Sequence, residues 1–344
     1  MSSDERKVVC SAPGRAGIIG NPTDMYGGSV ISCSVGMRAR VTVTPTEGLV
    51  LATNGEECTI KNRDDLRPRK DLFDIPRAIL DYARIFDTPP PNCRIEYVSE
   101  IPMSSGMSSS TALLVSILQA ILAWRGEYPN LYQLAERARY IELNYLEVVC
   151  GYQDAYMCTF GGLNYMDFRG KQFYRSAEAE LFATIEPLCD YAPELPFVLG
   201  FTGVQHASGA VHKPIRERWL EGESAVVKGY ERITELARMG KKALLMQDWP
   251  TMGHLMNENH AIQRELGGSG DSNERLIAAA LEVGALGAKL AGAGSGGTII
   301  ALWPWEDATP LEEALRAAGA SATYRLDIQP GAIVESPVVG ETDE

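Results

Sequence analysis

The sequence from Ile101 to Leu114, IPMSSGMSSSTALL, places five serines, one threonine and one glycine directly before a long apolar run. The run continues to Ala123, which is long enough to predict a buried helix rather than a strand. Pro102 and Gly106 disfavour helix before this point, so the helix is expected to begin at the serines. A glycine-containing turn that leads into a helix N-terminus can bind phosphate through unpaired backbone N–H groups. The stretch therefore predicts a phosphate site.

Ordinary helix capping is the alternative explanation for these hydroxyls. One serine satisfies an N-cap, whereas Ser108, Ser109 and Ser110 stand in succession before Thr111. The additional hydroxyls could bind a nucleotide or supply a ligand to the magnesium ion that accompanies it. The chain has no G-x-x-x-x-G-K-S/T sequence, which excludes a P-loop of the familiar kind.

Charge and cysteine content limit the possible partners and location. The formal net charge of −13 over 344 residues argues against nucleic acid as the main partner, although a local pocket could still bind an anionic small molecule. Seven cysteines occur without a C-x-x-C pair, which indicates a reducing compartment rather than a disulfide framework or a zinc site. The first residues are polar and no apolar run reaches membrane length, so a cytoplasmic protein is expected.

Glycine and proline also crowd the segment Ser11–Gly28. This composition predicts a shaped loop between a strand at Lys7–Cys10 and paired strands at Ser29–Val35 and Arg40–Thr44. Its polar side chains would suit the binding of a polyol, or they could form a turn whose Asn and Asp cap their own backbone. Five of these side chains are notable: Arg15, Asn21, Thr23, Asp24 and Tyr26.

Two acids follow at a spacing that suits a common site. Helical periodicity predicts a helix over Leu131–Val149, with Glu142 on its mostly small, apolar stripe. Burying an acid alone is costly, so Glu142 is expected to meet either a metal ion or an arginine. Asp154 lies twelve residues later, at a predicted turn beyond the helix. Either acid alone would more often be structural, but together with a phosphate loop they predict a magnesium ligand and a proton acceptor.

A third glycine-rich stretch lies between Ala288 and Leu302. Its glycines at Gly292, Gly294 and Gly297 match G-x-G-x-x-G, which binds dinucleotides when it joins a strand to the following helix. Here the glycines lead into an apolar strand, so that interpretation is disfavoured. A glycine hairpin pressed against the serine-rich loop is the preferred alternative.

Taken together, the three stretches resemble the GHMP kinases, the family of galactokinase, homoserine kinase, mevalonate kinase and phosphomevalonate kinase. The first family motif is similar to Ala12–Asp24, the second to Pro102–Ala112 and the third to Gly292–Thr298, in the same order and along the whole chain. The resemblance implies an α+β, two-domain GHMP kinase fold with an N-terminal ribosomal-protein-S5-like domain and a ferredoxin-like C-terminal domain. The acidic, weakly patterned segment Ser176–Pro193 predicts the boundary, giving domains 1–190 and 191–344.

Within the family, the sequence most resembles the glucuronokinases. The motif GNPTDMY at Gly20–Tyr26 replaces the Gly-Glu-His-Thr-Asp of galactokinases, and the segments Gly151–Asp154 and Arg216–Glu223 also resemble that branch. The Gln-Asp and Gly-Gly-Leu-Asn pattern is shared in part with bacterial heptose-phosphate kinases, which are the alternative. Ser108 and Met107 stand where many members carry glycine and leucine.

The resemblance implies an ATP-dependent sugar kinase. Its expected acceptor is the anomeric hydroxyl of glucuronate, giving glucuronate 1-phosphate, with a heptose phosphate, galactose or arabinose as alternatives. Asp154 would orient or deprotonate the attacking hydroxyl, Arg15 would offset charge on the transferred group, and Ser110 and Glu142 would hold Mg²⁺. A non-catalytic sugar sensor of the same fold would not need both Glu142 and Asp154. The sequence does not indicate an oligomeric state.

The resemblance also implies two sets of binding residues. The expected nucleotide contacts are Pro102, Ser104, Ser105, Gly106, Met107, Ser108, Ser109 and Ser110. The expected sugar contacts are Asn21, Asp24, Tyr26, Gly294 and Arg216. Arg216 belongs to a basic cluster that favours an acidic acceptor unless it is simply an exposed helix face: His206, His212, Lys213, Arg216 and Arg218.

Overall fold

The structure is a computed structural model that describes residues 6–171, 180–192, 194–204 and 208–335. Side chains of residues 208–213 are not part of this description. The predicted basic cluster is therefore covered only at Arg216 and Arg218, and His206 lies outside the described residues.

The described residues form twelve strands, nine α-helices and two short 3₁₀ helices, Thr23–Tyr26 and Arg63–Leu66. The strands are β1 (Val8–Ile19), β2 (Ser29–Pro45), β3 (Leu49–Thr53), β4 (Glu56–Ile60), β5 (Cys93–Ser99), β6 (Leu163–Asp167), β7 (Thr184–Pro187), β8 (Phe197–Phe201), β9 (Gly287–Leu290), β10 (Thr298–Leu302), β11 (Ala322–Arg325) and β12 (Ile333–Val334). The helices are α1 (Asp74–Tyr82), α2 (Ser109–Trp124), α3 (Leu131–Asn144), α4 (Gln153–Phe160), α5 (Ser208–Leu220), α6 (Ser224–Leu245), α7 (Trp249–Glu265), α8 (Asp271–Glu282) and α9 (Thr309–Ala317).

The strands form two sheets, and the mixed helix and strand content confirms the predicted α+β class. The larger sheet has the order β12-β1-β2-β5-β3-β4, in which β3 and β5 are parallel and the other pairs are antiparallel. The long strand β2 also pairs with β6 through Ser29–Cys33, and β7 continues from β6. The smaller sheet has the order β11-β8-β10-β9 and is antiparallel throughout.

Helix α2 lies at the centre of the larger core. It contacts β1, β2 and β5 on one side and α1, α3 and α4 on the other. A helix that is apolar all round is expected in such a buried position, and each of its fully buried leucines and isoleucines contributes roughly 2 kcal/mol. The N-terminal end of α2 is therefore held firmly in one place.

Two predictions for the N-terminal stretch were wrong. The segment from Ser11 to Ile19 is strand and not loop, because its backbone pairs with β2 with register shifts near Gly14 and Gly17. The strands predicted at Ser29–Val35 and Arg40–Thr44 are one continuous strand, β2. Glycine inside a strand often marks an irregularity or a close backbone approach rather than a turn, and this is the case here.

The predictions around the two acids also need correction. Helix α3 ends at Asn144 and not at Val149, although Glu142 still lies within it. Asp154 lies in the first turn of α4 and not at a turn outside helices. Local sequence gave little indication of α4, because it is short and its start depends on a partner from the N-terminal segment.

Candidate active site

A cavity of about 510 Å³ opens where β1, the start of α2, the start of α4 and the β9–β10 connection meet. Its size suits a small ligand. Arg15 is the single lysine or arginine among its described lining residues. The acids and hydroxyl residues in the lining are Asp24, Glu142, Glu147, Asp154, Ser104, Ser105, Ser108, Ser109, Ser110 and Thr111.

The serine-rich loop approaches α2 through three residues with positive φ, Ser104, Gly106 and Ser108. Ser108 occupies the N-cap position of α2, but its side chain makes no capping hydrogen bond. Its Oγ is buried and has no hydrogen-bond partner among the described residues, although Ser108 lines the cavity. An unsatisfied hydroxyl beside a helix N-terminus is suited to an anion. Ordinary capping therefore does not explain Ser108, and the phosphate interpretation is favoured.

Glycines let the three sequence stretches meet through their backbones. A Cβ on Gly14 would lie 2.6 Å from the carbonyl oxygen of Met107, and one on Gly292 would lie 2.5 Å from that of Gly106. The N–H of Arg15 donates to the Met107 carbonyl at 3.1 Å across the same contact. The glycines of the third stretch join two antiparallel strands. The prediction of a glycine hairpin pressed against the serine-rich loop is confirmed.

Arg15 is almost fully buried and bridges the serine-rich loop to α4. Its Nη1 donates to the carbonyl oxygen of Gly106 at 2.5 Å. Its Nε and Nη2 lie 2.8 and 2.7 Å from Oδ1 of Asp154. Both contacts use Oδ1, so Oδ2 has no hydrogen-bond partner within the described residues. Asp154 thus offers a fixed carboxylate with one oxygen available to a ligand hydroxyl.

Asp24 shows the same asymmetry between its two oxygens. Its Oδ2 accepts hydrogen bonds from the backbone N–H groups of Tyr152 at 2.7 Å and Gln153 at 2.9 Å, at the start of α4. Gly151 is required beside it, because a Cβ there would lie 1.9 Å from Oδ2. Burial raises the pKa of Asp24, the Gln153 N–H opposes this rise and the Asp154 charge adds to it. In the described part of the chain, Oδ1 of Asp24 has no hydrogen bond.

Glu142 is a buried acid that makes no ion pair among the described residues. Thr111 Oγ1 donates to its two oxygens at 3.2 and 3.3 Å. No lysine or arginine of the described ranges lies within ion-pair distance of it, but the charge of Arg139, one turn earlier in α3, still acts on Glu142. The arginine alternative therefore stays open beside the metal one. Burial raises the pKa of Glu142 to about 7, and the charge of Asp154 acts in the same direction. The sequence predicted that Ser110 shares a magnesium ion with Glu142, whereas the hydroxyl in hydrogen-bond contact with Glu142 is that of Thr111.

These groups fit a magnesium ion that is held jointly with a nucleotide. Mg²⁺ prefers oxygen ligands and is usually held by one or two carboxylates together with substrate phosphates. Glu142 and the exposed hydroxyl of Ser110 both line the cavity and supply such oxygens. Within the described ranges, no cluster of three or more His, Cys, Asp or Glu is arranged to hold a metal alone. Phosphate oxygens would therefore have to complete the coordination.

Three family models match the chain. The model of the GHMP kinases N terminal domain matches residues 75–162, that of the GHMP kinases C terminal matches residues 241–321, and a galactokinase galactose-binding signature matches residues 2–45. The chain belongs to the GHMP kinase family. Membership supports an ATP-dependent kinase that acts on a small molecule.

Relatives that match the chain over most of its length are also named as kinases. Glucuronokinase 1 of Arabidopsis thaliana is 28% identical over 333 residues, covering 89% of this chain and 88% of its own. A D-glycero-alpha-D-manno-heptose 7-phosphate kinase of Campylobacter jejuni is 26% identical and covers 85% and 88%. The crystal structure of Lactococcus lactis galactokinase complexed with galactose superposes with a TM-score of 0.78 at 18% identity, covering 96% and 95%, which shows the shared fold. None of the helices in the described part of the chain is long and apolar enough to cross a membrane.

Some predicted nucleotide contacts of this kinase lie outside the described cavity lining. Pro102 and Met107 are absent from it, and the side chain of Met107 is fully buried in the core. The backbone carbonyl of Met107 binds Arg15 N–H, so its structural contribution is to the loop. Gly294 borders a small crevice between the hairpin and the serine-rich loop rather than the main cavity.

The predicted sugar contacts Tyr26 and Arg216 are also absent from the described lining. The Tyr26 ring packs on Tyr230 at 4.7 Å and on Trp219 at 4.9 Å between ring centroids, which joins the first motif to α5 and α6. Burial raises the pKa of Tyr26, Asp24 acts in the same direction, and the charge of Arg216 opposes both. Arg216 therefore lies close enough to Tyr26 for its charge to act on the tyrosine.

Sequence reasoning missed Lys289 in β9, which contacts the predicted sugar ligand Asn21. Lys289 is fully buried and its Nζ donates to Oδ1 of Asn21 at 2.7 Å. Asn21 lines the cavity, and its Nδ2 donates to the carbonyl of Gly292 at 3.3 Å. A lone lysine within the short strand Gly287–Leu290 was a signal that could have found this contact.

Proposed function

We propose that this kinase transfers the γ-phosphoryl group of ATP to the anomeric hydroxyl of glucuronate, giving glucuronate 1-phosphate. The observation that carries the kinase chemistry is the Arg15–Asp154 pair, which lies beside the serine-rich loop with one Asp154 oxygen available. The choice of acceptor is supported by the 28% identity with Arabidopsis glucuronokinase 1 over most of both chains.

Asp154 and Arg15 act on the reacting groups. Oδ2 of Asp154 accepts or orients the proton of the attacking hydroxyl while Arg15 holds Oδ1 in place. The Arg15 guanidinium offsets negative charge on the group in transfer. Asp24 Oδ1 is available to a second sugar hydroxyl, which would orient the ring relative to Asp154.

The nucleotide lies against the serine-rich loop. Backbone N–H groups at the start of α2 and the unpartnered Ser108 hydroxyl bind its phosphates. Ser110 and Glu142 are the residues that would hold magnesium, which neutralises phosphate charge when bound. Phosphoryl transfer requires little covalent chemistry from the protein, so these residues contribute mainly by positioning the reactants and offsetting charge.

A heptose phosphate is the second candidate acceptor, because a heptose 7-phosphate kinase matches at 26% identity over most of its length. It differs from glucuronate in carrying a phosphate instead of a carboxylate. Both acceptors are anionic, so the choice between them depends on the shape of the sugar side of the cavity.

A coupled assay for ADP release tests the assignment on the wild-type protein. Glucuronate, glucose, galactose, arabinose and a heptose phosphate are compared as acceptors. Catalytic efficiency for glucuronate is expected to exceed that for glucose by at least about thirtyfold, the equivalent of ~2 kcal/mol. A preference for another sugar would overturn the glucuronate assignment. Sugar binding without ADP release from any acceptor would favour the non-catalytic sensor instead.

A further inference from the structure

A buried group of charged side chains lies beside α4, outside the described lining of the cavity, and the mechanism above does not use it. The side chain of Lys171 has no exposed surface, and that of Glu180 is only 1% exposed. Lys171 Nζ lies 2.6 Å from Oε1 of Glu136 in α3 and 3.0 Å from Oε2 of Glu180. It also donates to the carbonyl oxygen of Leu181 at 2.8 Å. Replacing a buried ion pair by apolar side chains often costs no stability, so this group calls for a role beyond stability.

These charges meet at the side chain of Tyr152, which is fully buried. The Tyr152 hydroxyl donates to Oε1 of Glu180 at 2.5 Å. Two cations lie over its ring, Lys171 Nζ at 4.5 Å and the guanidinium carbon of Arg139 at 4.4 Å from the ring centroid. An aromatic face attracts cations most strongly when they are removed from water, and both of these side chains are buried. We call Arg139, Lys171 and Glu180 the Tyr152 clamp, since they hold both the ring and the hydroxyl of this residue.

The backbone of Tyr152 connects this clamp to the cavity. Tyr152 is the N-cap residue of α4, and its side chain makes no capping hydrogen bond there. Oδ2 of Asp24 takes that place, because it accepts from the Tyr152 N–H at 2.7 Å. Asp154 follows two residues later, in the first turn of the same helix. A shift of Tyr152 would therefore move both carboxylates of the cavity.

We propose that the Tyr152 clamp sets the spacing between Asp24 and Asp154, and thereby orients the acceptor hydroxyl for phosphoryl transfer. The clamp holds the start of α4 in place, so that Oδ1 of Asp24 and Oδ2 of Asp154 keep their mutual distance when the sugar binds. An error of about 1 Å in such a spacing can lower the rate about 10²-fold. The three clamp residues are positioning residues, because they touch Tyr152 and not the sugar. The inference rests on the proposed function, since it takes these two carboxylates as the groups that meet the acceptor.

Tyr156 provides a matched comparison within α4. It lies one turn after Tyr152, is also fully buried, and donates its hydroxyl to Oε1 of Glu136, which belongs to the same charged group. Its hydroxyl also accepts from the N–H of Ala183 at 3.2 Å. Its own N–H donates to the Tyr152 carbonyl at 3.1 Å within the helix. The two tyrosines thus share burial and a glutamate partner, but of the two it is Tyr152 that binds Asp24.

The kinetic test compares Tyr152→Phe with Tyr156→Phe. Each substitution keeps the ring and removes one buried hydroxyl, so both variants should show a lower Tm. In Tyr152→Phe, kcat/KM for glucuronate should fall about tenfold, because the start of α4 is held less precisely. The KM for ATP should change by less than about twofold, since Tyr152 has no hydrogen bond to the serine-rich loop in the described part of the chain. In Tyr156→Phe, both values should stay within about twofold of the wild type.

Glu180→Gln weakens the same contact from its other side, because a neutral amide replaces the carboxylate that accepts from Tyr152. Its kcat/KM for glucuronate should again fall while the KM for ATP is retained. The double variant of Tyr152→Phe and Glu180→Gln should lose no more than about twofold beyond the larger single loss, since both changes act on one contact. Glu180→Gln also tests the clamp if Tyr152→Phe does not fold.

Hydrogen exchange followed by NMR on the free protein provides a measurement that needs no acceptor. The amides of residues 152 and 153 both donate to Oδ2 of Asp24 in the wild type. In Tyr152→Phe, these two amides should exchange at least about tenfold faster, while the later amides of α4 keep their protection. In Tyr156→Phe, they should remain as protected as in the wild type. A purely structural role would instead speed exchange along α4 in both variants.

The outcomes separate this proposal from the choice of acceptor. A wild-type enzyme that releases no ADP with glucuronate would overturn the proposed acceptor, and the exchange measurement would still decide the role of the clamp. Equal values of kcat/KM in Tyr152→Phe and Tyr156→Phe would overturn the clamp and leave the acceptor assignment intact. Wild-type exchange of amides 152 and 153 in Tyr152→Phe would also overturn it, because the contact with Asp24 would then not depend on the clamp.

Discussion

The proposed mechanism gives the cavity a nucleotide side and an acceptor side, and the two are built in different ways. The nucleotide side is one contiguous stretch, Ser104–Thr111, whose backbone and hydroxyls lead into the buried helix α2. The acceptor side gathers Asp24, Asp154 and Asn21 from segments far apart in the sequence, with Lys289 behind them. The first depends on local backbone shape. The second depends on charged and polar side chains that only tertiary packing brings together.

The two sides also differ in how they affect the stability of the free protein. Glycines that permit close backbone contact shape the nucleotide side, whereas groups near the acceptor are buried charges with shifted pKa values. Glu142 lies between the two sides, and burial raises its pKa to about 7. Such groups lower the stability of the free protein and are retained where a ligand stabilises their charged form.

The largest expected effect comes from Asp154→Asn, which acts where the two sides meet. The amide cannot accept the hydroxyl proton as a carboxylate does, so kcat should fall by about 10²-fold or more. The KM values for ATP and sugar should remain near those of the wild type, because the nearly isosteric amide keeps an oxygen for Arg15 and leaves the other binding residues unchanged. Steady-state kinetics with ADP detection measures this split. Near-normal turnover in a folded variant would remove Asp154 from the chemistry.

The second-largest effect is expected from Gly14→Ala, which should disturb the nucleotide side alone. In Gly14→Ala, the new Cβ would approach the Met107 carbonyl to 2.6 Å, so the serine-rich loop must shift. Strain of this kind typically costs about 1–3 kcal/mol, and the KM for ATP should rise about tenfold or more with a lower Tm.

Sugar affinity serves as the internal control for Gly14→Ala. Sugar affinity, measured by calorimetry without nucleotide, should change little. Gly36→Ala is the matched control in the paired strand, where the nearest atom is a carboxylate oxygen of the exposed Asp327 side chain at 3.2 Å. Equal effects of the two substitutions on ATP would argue against a role for the Gly14 contact.

Glu142→Gln tests whether Glu142, the residue between the two sides, is a magnesium ligand. The amide is nearly isosteric and can still accept from Thr111, but it is a weaker magnesium ligand. The magnesium concentration for half-maximal activity should rise about fivefold to tenfold. A magnesium titration at saturating ATP and sugar measures this change. An unchanged titration would show that Glu142 is a structural acid.

The last prediction concerns stability and its pH dependence rather than activity. Because the folded-state pKa of Glu142 is raised to about 7, its ionisation opposes folding increasingly as the pH rises from its ordinary value of 4.5 through 7. In metal-free buffer near about pH 8, Glu142→Gln should therefore be more stable than the wild type by up to about 3 kcal/mol. Thermal melting at about pH 5 and 8 measures this, with the gain expected only at the higher pH. A variant that is destabilised at both values would contradict the raised pKa.

Much of the nucleotide side could be predicted from the sequence. The all-round apolar run before Trp124 required a buried helix, and glycine, proline and serine before it required a non-helical approach to its N-terminus. The order of three glycine-rich stretches indicated the family. These features are local, because backbone preferences and hydrophobic periodicity are properties of neighbouring residues.

The acceptor side was decided by tertiary structure. Local sequence marked Ser11–Ile19 as loop, but pairing with β2 makes it strand and turns its glycines into contact points. It suggested Tyr26 as a sugar contact, but the ring packs on Tyr230 and Trp219. It did not reveal that Lys289 is buried behind Asn21. Burial, the choice of hydrogen-bond partner and the resulting pKa depend on residues hundreds of positions apart, so no local pattern encodes them.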